Sequence, residues 1–139
     1  MGKHQRKKQV IEEAARLFSA KRFDEVLMDD IAQQAGVGKG TIYTYFADKE
    51  ELYFAVVFDG ISRLNEKLQS KADRQQDPER ELKRMVHAIV SFFHQNRFFF
   101  RLMSKEDGRS ESGKGENRKR WHEQRRIQLA AIETVLRNG

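Results

Sequence analysis

Residues 36–52 read GVGKGTIYTYFADKEEL, a glycine-rich turn with one lysine, then a short aromatic run and an acidic segment. Such a turn suggests phosphate binding, either of a nucleotide or of DNA. A nucleotide-binding P-loop needs a strand, then Gly-Lys-Ser/Thr, then a helix. Here Gly40 separates Lys39 from Thr41, and the preceding segment MDDIAQQA has a helical pattern. The sequence therefore argues against a nucleotide site and favours two short helices joined by a tight turn, a helix-turn-helix.

In a helix-turn-helix the second helix is presented to a DNA groove, and each position of this stretch then has a physical role. Glycines on either side of Lys39 expose backbone N–H groups at a helix start, where the helix dipole favours an anion. Lys39 and Thr41 can reach a phosphate or a base edge, and Thr44 faces the same groove one turn later. The hydroxyl of Tyr43 suits a phosphate oxygen. Lys49, at the start of the next helix, would bind the far strand's backbone.

The segments on either side of this stretch are predicted to be helices. Apolar residues recur at helical spacing from Gln9 to the sequence AKRF, and the helix in MDDIAQQAG ends at Gly36. Asp48 is a predicted N-cap, with Glu51 at the capping-box spacing, for a long helix through KEELYFAVVFDGISRLNEKLQSKA.

Three further features complete the chain. The single proline, Pro78, suits the first position of a new helix. Residues 104–120 lack periodicity and are rich in Gly, Ser and Asn, so we expect a loop there. The final helix, RWHEQRRIQLAAIETVLRN, has two apolar sides, which predicts two packing partners.

Composition sets limits on the class of protein. The 139 residues include one Pro, nine Gly and 35% charged residues, which is typical of a helical domain. The absence of cysteine excludes disulfides, thiolate nucleophiles and Cys-ligated zinc, and it fits a reducing compartment. No membrane-spanning run or signal peptide is found, so we expect a cytoplasmic protein without a membrane partner.

The net charge of +6 is unevenly distributed. Residues 1–58 carry nine basic and nine acidic side chains, so the whole excess lies in the remainder. Within the first part the charges nevertheless separate, because the segment before Gln9 is free of acidic residues. We expect Arg6, Lys7 and Lys8 to form a basic arm that extends a DNA-binding surface.

The segments AARLF, DDIAQQAGVGKGTIYTYF and KEEL, with their spacing over residues 6–57, resemble the DNA-binding region of the TetR family of bacterial transcriptional regulators. The resemblance implies an all-α fold, with a helix-turn-helix domain over residues 1–50 and a helical regulatory body over 51–139. It also implies a homodimer on a palindromic operator, acting as a repressor that a small apolar or amphipathic molecule releases. The implied DNA-binding residues are Lys39, Gly40, Thr41, Tyr43, Thr44, Tyr45, Lys49, Arg6, Lys7 and Lys8. The alternative is a helical interaction or small-molecule-binding module without DNA function.

The sequence departs from the family pattern at a few positions. Leu27 stands where a threonine commonly caps the second helix, Arg22 replaces a common turn glycine, and Gly38 replaces a common serine cap. Family members usually continue beyond a stretch like ETVLRNG into two more helices that form the subunit interface. We therefore expect the body, which ends here at Gly139, to be incomplete.

A second candidate site lies in the body. Aromatic and methionine side chains in this region suit either a core or an adaptable pocket for an apolar ligand. The candidate ligand-binding residues are Met85, Phe92, Phe93, Phe99 and Met103. No catalytic constellation, metal site or cofactor motif is recognisable, so we expect that the protein is not an enzyme.

Overall fold

The computed structural model describes residues 2–69, 77–108 and 115–138, with only the backbone of Asn138. Within these ranges the fold is all-α, as the sequence predicts, with no strand. None of the described helices is both long and apolar enough to cross a membrane. The helices are α1 Lys3–Ala20, α2 Met28–Ala35, α3 Lys39–Tyr45, α4 Lys49–Gln69, α5 Pro78–Gln95, α6 Arg97–Asp107 and α7 Glu116–Asn138, with a 3-10 turn at Phe23–Glu25.

The chain divides into two compact units. Unit 1 contains the residues up to Phe58 together with Phe98–Gly108, and unit 2 contains Asp59–Arg97 and the residues from Arg109 onward. Unit 1 therefore holds α1, α2, α3, the first part of α4, and α6 from Phe98. Unit 2 holds the rest of α4 together with α5 and α7.

The helix α1 begins earlier than predicted. It starts at Lys3, so the residues expected to form a basic arm before Gln9 are helical. The segment contains good helix formers and no Gly or Pro. Its first turns also contact the end of α3, since the Tyr45 hydroxyl donates to the Lys3 carbonyl oxygen at 3.3 Å. Lys7 Nζ lies 5.7 Å from the ring centroid of Phe46. The basic side chains therefore project from a helix and not from an extended arm.

The turn between α2 and α3 has the geometry that the sequence predicts. Gly36 ends α2 with φ 71° and ψ 29°, in the left-handed region. The N–H of Val37 donates to the carbonyl of Ala32 at 3.0 Å, which is the long bond of a Schellman motif. Ile31 and Ile42 are fully buried on the two sides of the turn. A single glycine thus sets the direction in which α3 leaves α2.

Replacing Gly36 with alanine should lower the free energy of unfolding by about 1–2 kcal/mol, because a Cβ is unfavourable in the left-handed region. The matched control is Gly40→Ala on α3, where a Cβ would meet no atom within 4 Å. Alanine should raise stability there by about 0.5–1 kcal/mol, because glycine disfavours the helix. Urea denaturation of both variants gives the comparison. Equal effects of the two substitutions would contradict the turn geometry.

The capping box predicted at the start of α4 is confirmed. The N–H of Glu51 donates to Asp48 Oδ1 at 2.8 Å. The Glu51 carboxylate in turn accepts from the N–H of Ala47 at 2.7 Å, one residue before the cap. The apolar residues of α4 at helical spacing are buried apart from Phe58, which is half-buried. The buried members of this face are Phe54, Val57, Ile61, Leu64 and Leu68.

Unit 2 is built around α5 and α7, which pack against each other. Pro78 occupies the first turn of α5, as predicted, and the Asp77 carboxylate accepts a backbone N–H from that turn at 3.3 Å. Trp121 of α7 is fully buried. The Asn65 amide of α4 donates to the Gln124 carbonyl oxygen at 3.2 Å, which joins the second part of α4 to α7.

The loop predicted over residues 104–120 is wrong at both ends. The helix α6 continues to Asp107 and α7 begins at Glu116, while residues 109–114 lie outside the described residues. The buried positions of α6 follow helical spacing, and the last of them is a glutamate. A prediction from apolar periodicity alone therefore places the end of α6 too early in the sequence. These positions are Phe99, Leu102, Met103 and Glu106.

The two apolar sides predicted for α7 are each covered only in part within the described residues. On the first side Ile127, Ala131 and Val135 are half-buried, whereas Ala130 and Thr134 are exposed. On the second side Ile132 is half-buried, and Leu129 and Leu136 are 58% and 57% exposed.

Candidate nucleic-acid interface

The helix α3 presents most of its surface to solvent. Within Lys39–Tyr45 only Ile42 is buried, and Phe46, directly after the helix, is also buried. Ile42 and Phe46 lie four residues apart, so they share one narrow face, which attaches α3 to the rest of unit 1. The exposed positions of the helix are Lys39, Gly40, Tyr43 and Thr44, while Thr41 and Tyr45 are half-buried.

Lys39 has a neighbouring carboxylate on α2. Its Nζ lies 3.4 Å from Asp29 Oδ1, and the two side chains are 68% and 61% exposed. An ion pair this exposed contributes little to stability, so the ammonium can exchange the carboxylate for a phosphate oxygen. Asp29 also adds one negative charge to this surface and thereby lowers its attraction for DNA.

The three hydroxyl groups toward the end of α3 differ in how available they are. Thr44 Oγ1 donates to the Gly40 carbonyl oxygen at 2.9 Å and is exposed, so its lone pairs can still accept. The Tyr45 hydroxyl donates to the backbone of α1, as described above. Tyr43 is 45% exposed and projects to a different side from Tyr45, since residues two apart on a helix diverge. Thr44 and Tyr43 are therefore open to a partner, whereas Tyr45 joins α3 to α1.

Lys49 lies at the start of α4, as the sequence predicts, and its ammonium has partners within the chain. Its Nζ donates to the carbonyl oxygens of Phe23 at 2.8 Å and Val26 at 3.1 Å. The same ammonium lies 4.5 Å from the centroid of the Phe23 ring. The phosphate contact implied for Lys49 would therefore need the ammonium to exchange one of these carbonyls for a phosphate oxygen or to use its third N–H.

The first turns of α1 place basic side chains beside the end of α3. Lys7 and Lys8 are exposed and Arg6 is half-buried. Arg6 Nε is buried without a hydrogen-bond partner. Since Lys7 lies over the Phe46 ring, these cations border the C-terminal end of α3.

The five candidate ligand-binding residues are divided between the two units. Met85, Phe92 and Phe93 belong to unit 2, whereas Phe99 and Met103 belong to unit 1. Phe93 is half-buried and the other four are buried. Within the described residues no group of three or more His, Asp or Glu side chains could hold a metal ion.

Sequence reasoning missed Lys105 of α6, because the loop expected over residues 104–120 included it. Its ammonium contacts the backbone at the end of α1, in unit 1. The helical spacing of the buried residues of α6, had it been followed through Glu106, would have placed Lys105 on a helix. Its acceptors could not be found in this way, because they lie more than eighty residues away in the chain.

Comparison with known proteins identifies the helix-turn-helix. Residues 10–56 match the model of the N-terminal domain of bacterial regulatory proteins of the tetR family. A solved structure of similar fold is the TetR-family transcriptional regulator PfmR from Thermus thermophilus. It has a TM-score of 0.79 and 27% identity, over 94% of this chain and 69% of PfmR. Over residues 10–56 the chain therefore has the helix-turn-helix domain of the TetR family.

Two other proteins are similar to this chain over part of their length. The uncharacterized HTH-type transcriptional regulator YhgD of Bacillus subtilis strain 168 is 36% identical over 91 residues, 63% of this chain and 46% of YhgD. A Clostridium perfringens structure named for fatty acid metabolism regulation has a TM-score of 0.77 and 26% identity, over 93% of this chain and 68% of that one. The chain spans about half the length of YhgD. These relatives are named as regulators and not as enzymes, in agreement with the prediction from the sequence.

At the positions that depart from the TetR-family pattern, the structure shows caps without side-chain bonds. Leu27 precedes α2 in an extended conformation, makes no side-chain cap bond and is 57% exposed. Gly38 precedes α3 and likewise offers no side-chain cap. The N–H groups at both helix starts therefore lack the hydroxyl acceptor that the family commonly supplies.

Proposed function

We propose that this chain is the DNA-binding part of a sequence-specific transcriptional regulator and that α3 is its recognition helix. The observation that supports this most strongly is the exposure of α3. This seven-residue helix has one buried side chain, Ile42, and presents Lys39, Tyr43 and Thr44 to solvent. A helix with a purely structural role would bury more of its surface, whereas a recognition helix must leave its side chains free for a groove.

The exposed residues divide into two classes of contact. Lys39 and Tyr43 carry groups that bind phosphate oxygens, which set affinity and orientation. Thr41 and Thr44 carry methyl and hydroxyl groups that suit base edges in the major groove. Lys7 and Lys8, on the first turns of α1, would bind the backbone beside the C-terminal end of α3.

The finer parts of the proposal follow from the family resemblance. The full-length regulator would act in the cytoplasm as a homodimer on a palindromic operator. The two recognition helices of such a dimer would each bind one half-site of the palindrome. Residues 1–50 would form the DNA-binding domain and 51–139 part of a regulatory body. A small apolar or amphipathic effector would release the operator, as in a ligand-responsive repressor. The Clostridium perfringens structure supports this class of effector, because it is named for fatty acid metabolism.

Replacing Lys39 with glutamine should weaken DNA binding and reduce its dependence on salt. Each lost phosphate contact lowers the slope of log K against log[salt] by about 0.9 for duplex DNA. Fluorescence anisotropy on one labelled duplex, repeated at several salt concentrations, measures both quantities. The matched control is Lys83→Gln, which removes the same charge from an exposed lysine of α5. If the two variants have the same slope, Lys39 does not bind phosphate.

A further inference from the structure

An acidic residue at the start of α2 lies beside the surface that we propose for DNA binding. Asp29 and Asp30 are both in the first turn of α2, and Asp29 is the more exposed of the two. The Asp29 carboxylate lies 3.4 Å from the ammonium of Lys39, the first residue of α3. Because the Lys39 ammonium belongs to the proposed recognition surface, the Asp29 carboxylate belongs to that surface as well.

A carboxylate on a DNA-binding surface opposes binding, because phosphates and carboxylates repel each other. Duplex DNA carries one negative charge for about every 1.7 Å of its axis. The helix dipole explains why an acidic residue is favourable at the start of α2, but Asp30 already satisfies that preference. The dipole does not explain why the more exposed of these two aspartates lies next to a lysine of the recognition helix.

The ion pair between Asp29 and Lys39 can separate at little cost. Both side chains are mostly exposed, so water screens their attraction. When Lys39 binds a phosphate oxygen, the Asp29 carboxylate loses its cation and keeps a full negative charge beside the groove. A charged acceptor that is removed from water is unfavourable unless a donor faces it. The base that lies opposite Asp29 therefore decides whether its carboxylate favours or opposes the complex.

The major groove offers one base whose edge suits a carboxylate. Cytosine presents an amino group and no acceptor, so a carboxylate can accept its hydrogen bond. Guanine presents only acceptors, thymine presents an acceptor and a methyl group, and adenine presents an acceptor beside its amino group. A carboxylate therefore meets an unfavourable acceptor on every base except cytosine.

We infer that Asp29 is a specificity-determining residue that selects cytosine at one position of the DNA site. This inference rests on the proposed function of α3, and it adds a base that α2 reads beside the recognition helix. Opposite cytosine the carboxylate gains a donor. Opposite any other base it stays unpaired near phosphates, so Asp29 weakens binding to unrelated sequences more than binding to the correct one.

The first part of the test is the selection of duplexes from a random library by the unaltered chain and by two variants. Asp29→Ala should lose the preference for cytosine at one position and keep the preferences at all other positions. The matched control is Asp59→Ala, which removes a carboxylate from an ion pair with Arg63 within α4 and should keep every preference. Thermal unfolding of each protein fixes a temperature at which all of them are folded.

The second part is fluorescence anisotropy on the selected duplex and on a scrambled duplex of equal composition. For Asp29→Ala the ratio of the two affinities should fall at least about fivefold, the low end of what one good base contact provides. Replacing the selected cytosine with an analogue that lacks the amino group should weaken binding by the unaltered chain and hardly affect Asp29→Ala. Asp29→Asn should accept adenine at this position, because an amide both donates and accepts.

Two results would overturn the role of Asp29. Selection of the same sequences by Asp29→Ala, even with higher affinity for every duplex, would mean that the carboxylate only offsets the charge of Lys39. An equal effect of the amino-free analogue on the unaltered chain and on Asp29→Ala would mean that another residue contacts that cytosine. Failure of the proposed function is seen separately: if the unaltered chain enriches no sequence, specific recognition by α3 is rejected and the role of Asp29 with it.

Discussion

Replacing Gly40 with glutamate should abolish DNA binding and leave the fold intact. Gly40 is exposed in the first turn of α3, and a Cβ there would meet no atom within 4 Å. A carboxylate in the first turn is also favourable for the helix dipole. On the DNA side it would face phosphates, and two like charges about 4 Å apart repel by about 4 kcal/mol at an effective dielectric of 20. Anisotropy should therefore record a loss of at least about a hundredfold.

The control for this substitution is Gly40→Ala, measured in the same assay. It adds a Cβ without charge, so it separates steric exclusion at the DNA surface from charge repulsion. Circular dichroism and thermal unfolding of both variants would verify the fold. Tight, selective binding by the glutamate variant would show that the groove does not approach this part of α3.

The second large effect is expected at Ile42. This residue is fully buried, and together with Phe46 it holds α3 to the rest of unit 1. Truncating a fully buried isoleucine to alanine costs about 2–5 kcal/mol in stability. The neighbouring Tyr43 is 45% exposed and makes a matched control, since Tyr43→Ala should hardly change stability but should weaken DNA binding. Urea denaturation of both variants should show a large loss of stability for Ile42→Ala alone, and anisotropy should show weaker DNA binding by Tyr43→Ala although it remains as stable as the unaltered chain.

A small change in stability for Ile42→Ala would contradict the packing of α3. A loss of stability for Tyr43→Ala as large as that for Ile42→Ala would do the same, because it would place Tyr43 in the core.

The elements that sequence reasoning predicted well are those whose signals are local. Gly36 ends α2 because a left-handed residue is needed there, and Pro78 begins α5 because its missing N–H has no cost at that position. The capping box of Asp48 and Glu51 likewise operates within one turn of helix. Each of these signals is complete within a few residues of the printed sequence.

The elements that were missed depend on contacts between distant segments. The helix α1 extends back to Lys3, and its first residues contact the end of α3. The helix α6 continues through Glu106, whose hydrogen-bond partner Tyr53 is far away in the chain. The local sequence pattern does not show that the buried carboxylate of Glu106 accepts a hydrogen bond from the Tyr53 hydroxyl.

The same limit applies to the candidate site. The exposed face of α3 could be predicted from the spacing of Ile42 and Phe46, but the state of Lys49 could not. A lysine at the start of a helix can equally reach a phosphate or the carbonyls of another turn, and only the folded chain shows the 2.8 Å and 3.1 Å hydrogen bonds it makes. Which aromatic residues share a unit was also not predictable, since periodicity identifies a buried face and not its partner.

The most direct test of the proposed function is the affinity of the chain for duplexes from its own gene's upstream region, compared with a scrambled duplex of equal composition. Fluorescence anisotropy at several salt concentrations gives both the selectivity and the salt slope. We predict tighter binding to an upstream duplex, weakening steadily as salt rises. Equal affinity for the upstream and scrambled duplexes at every salt concentration would contradict sequence-specific recognition by α3.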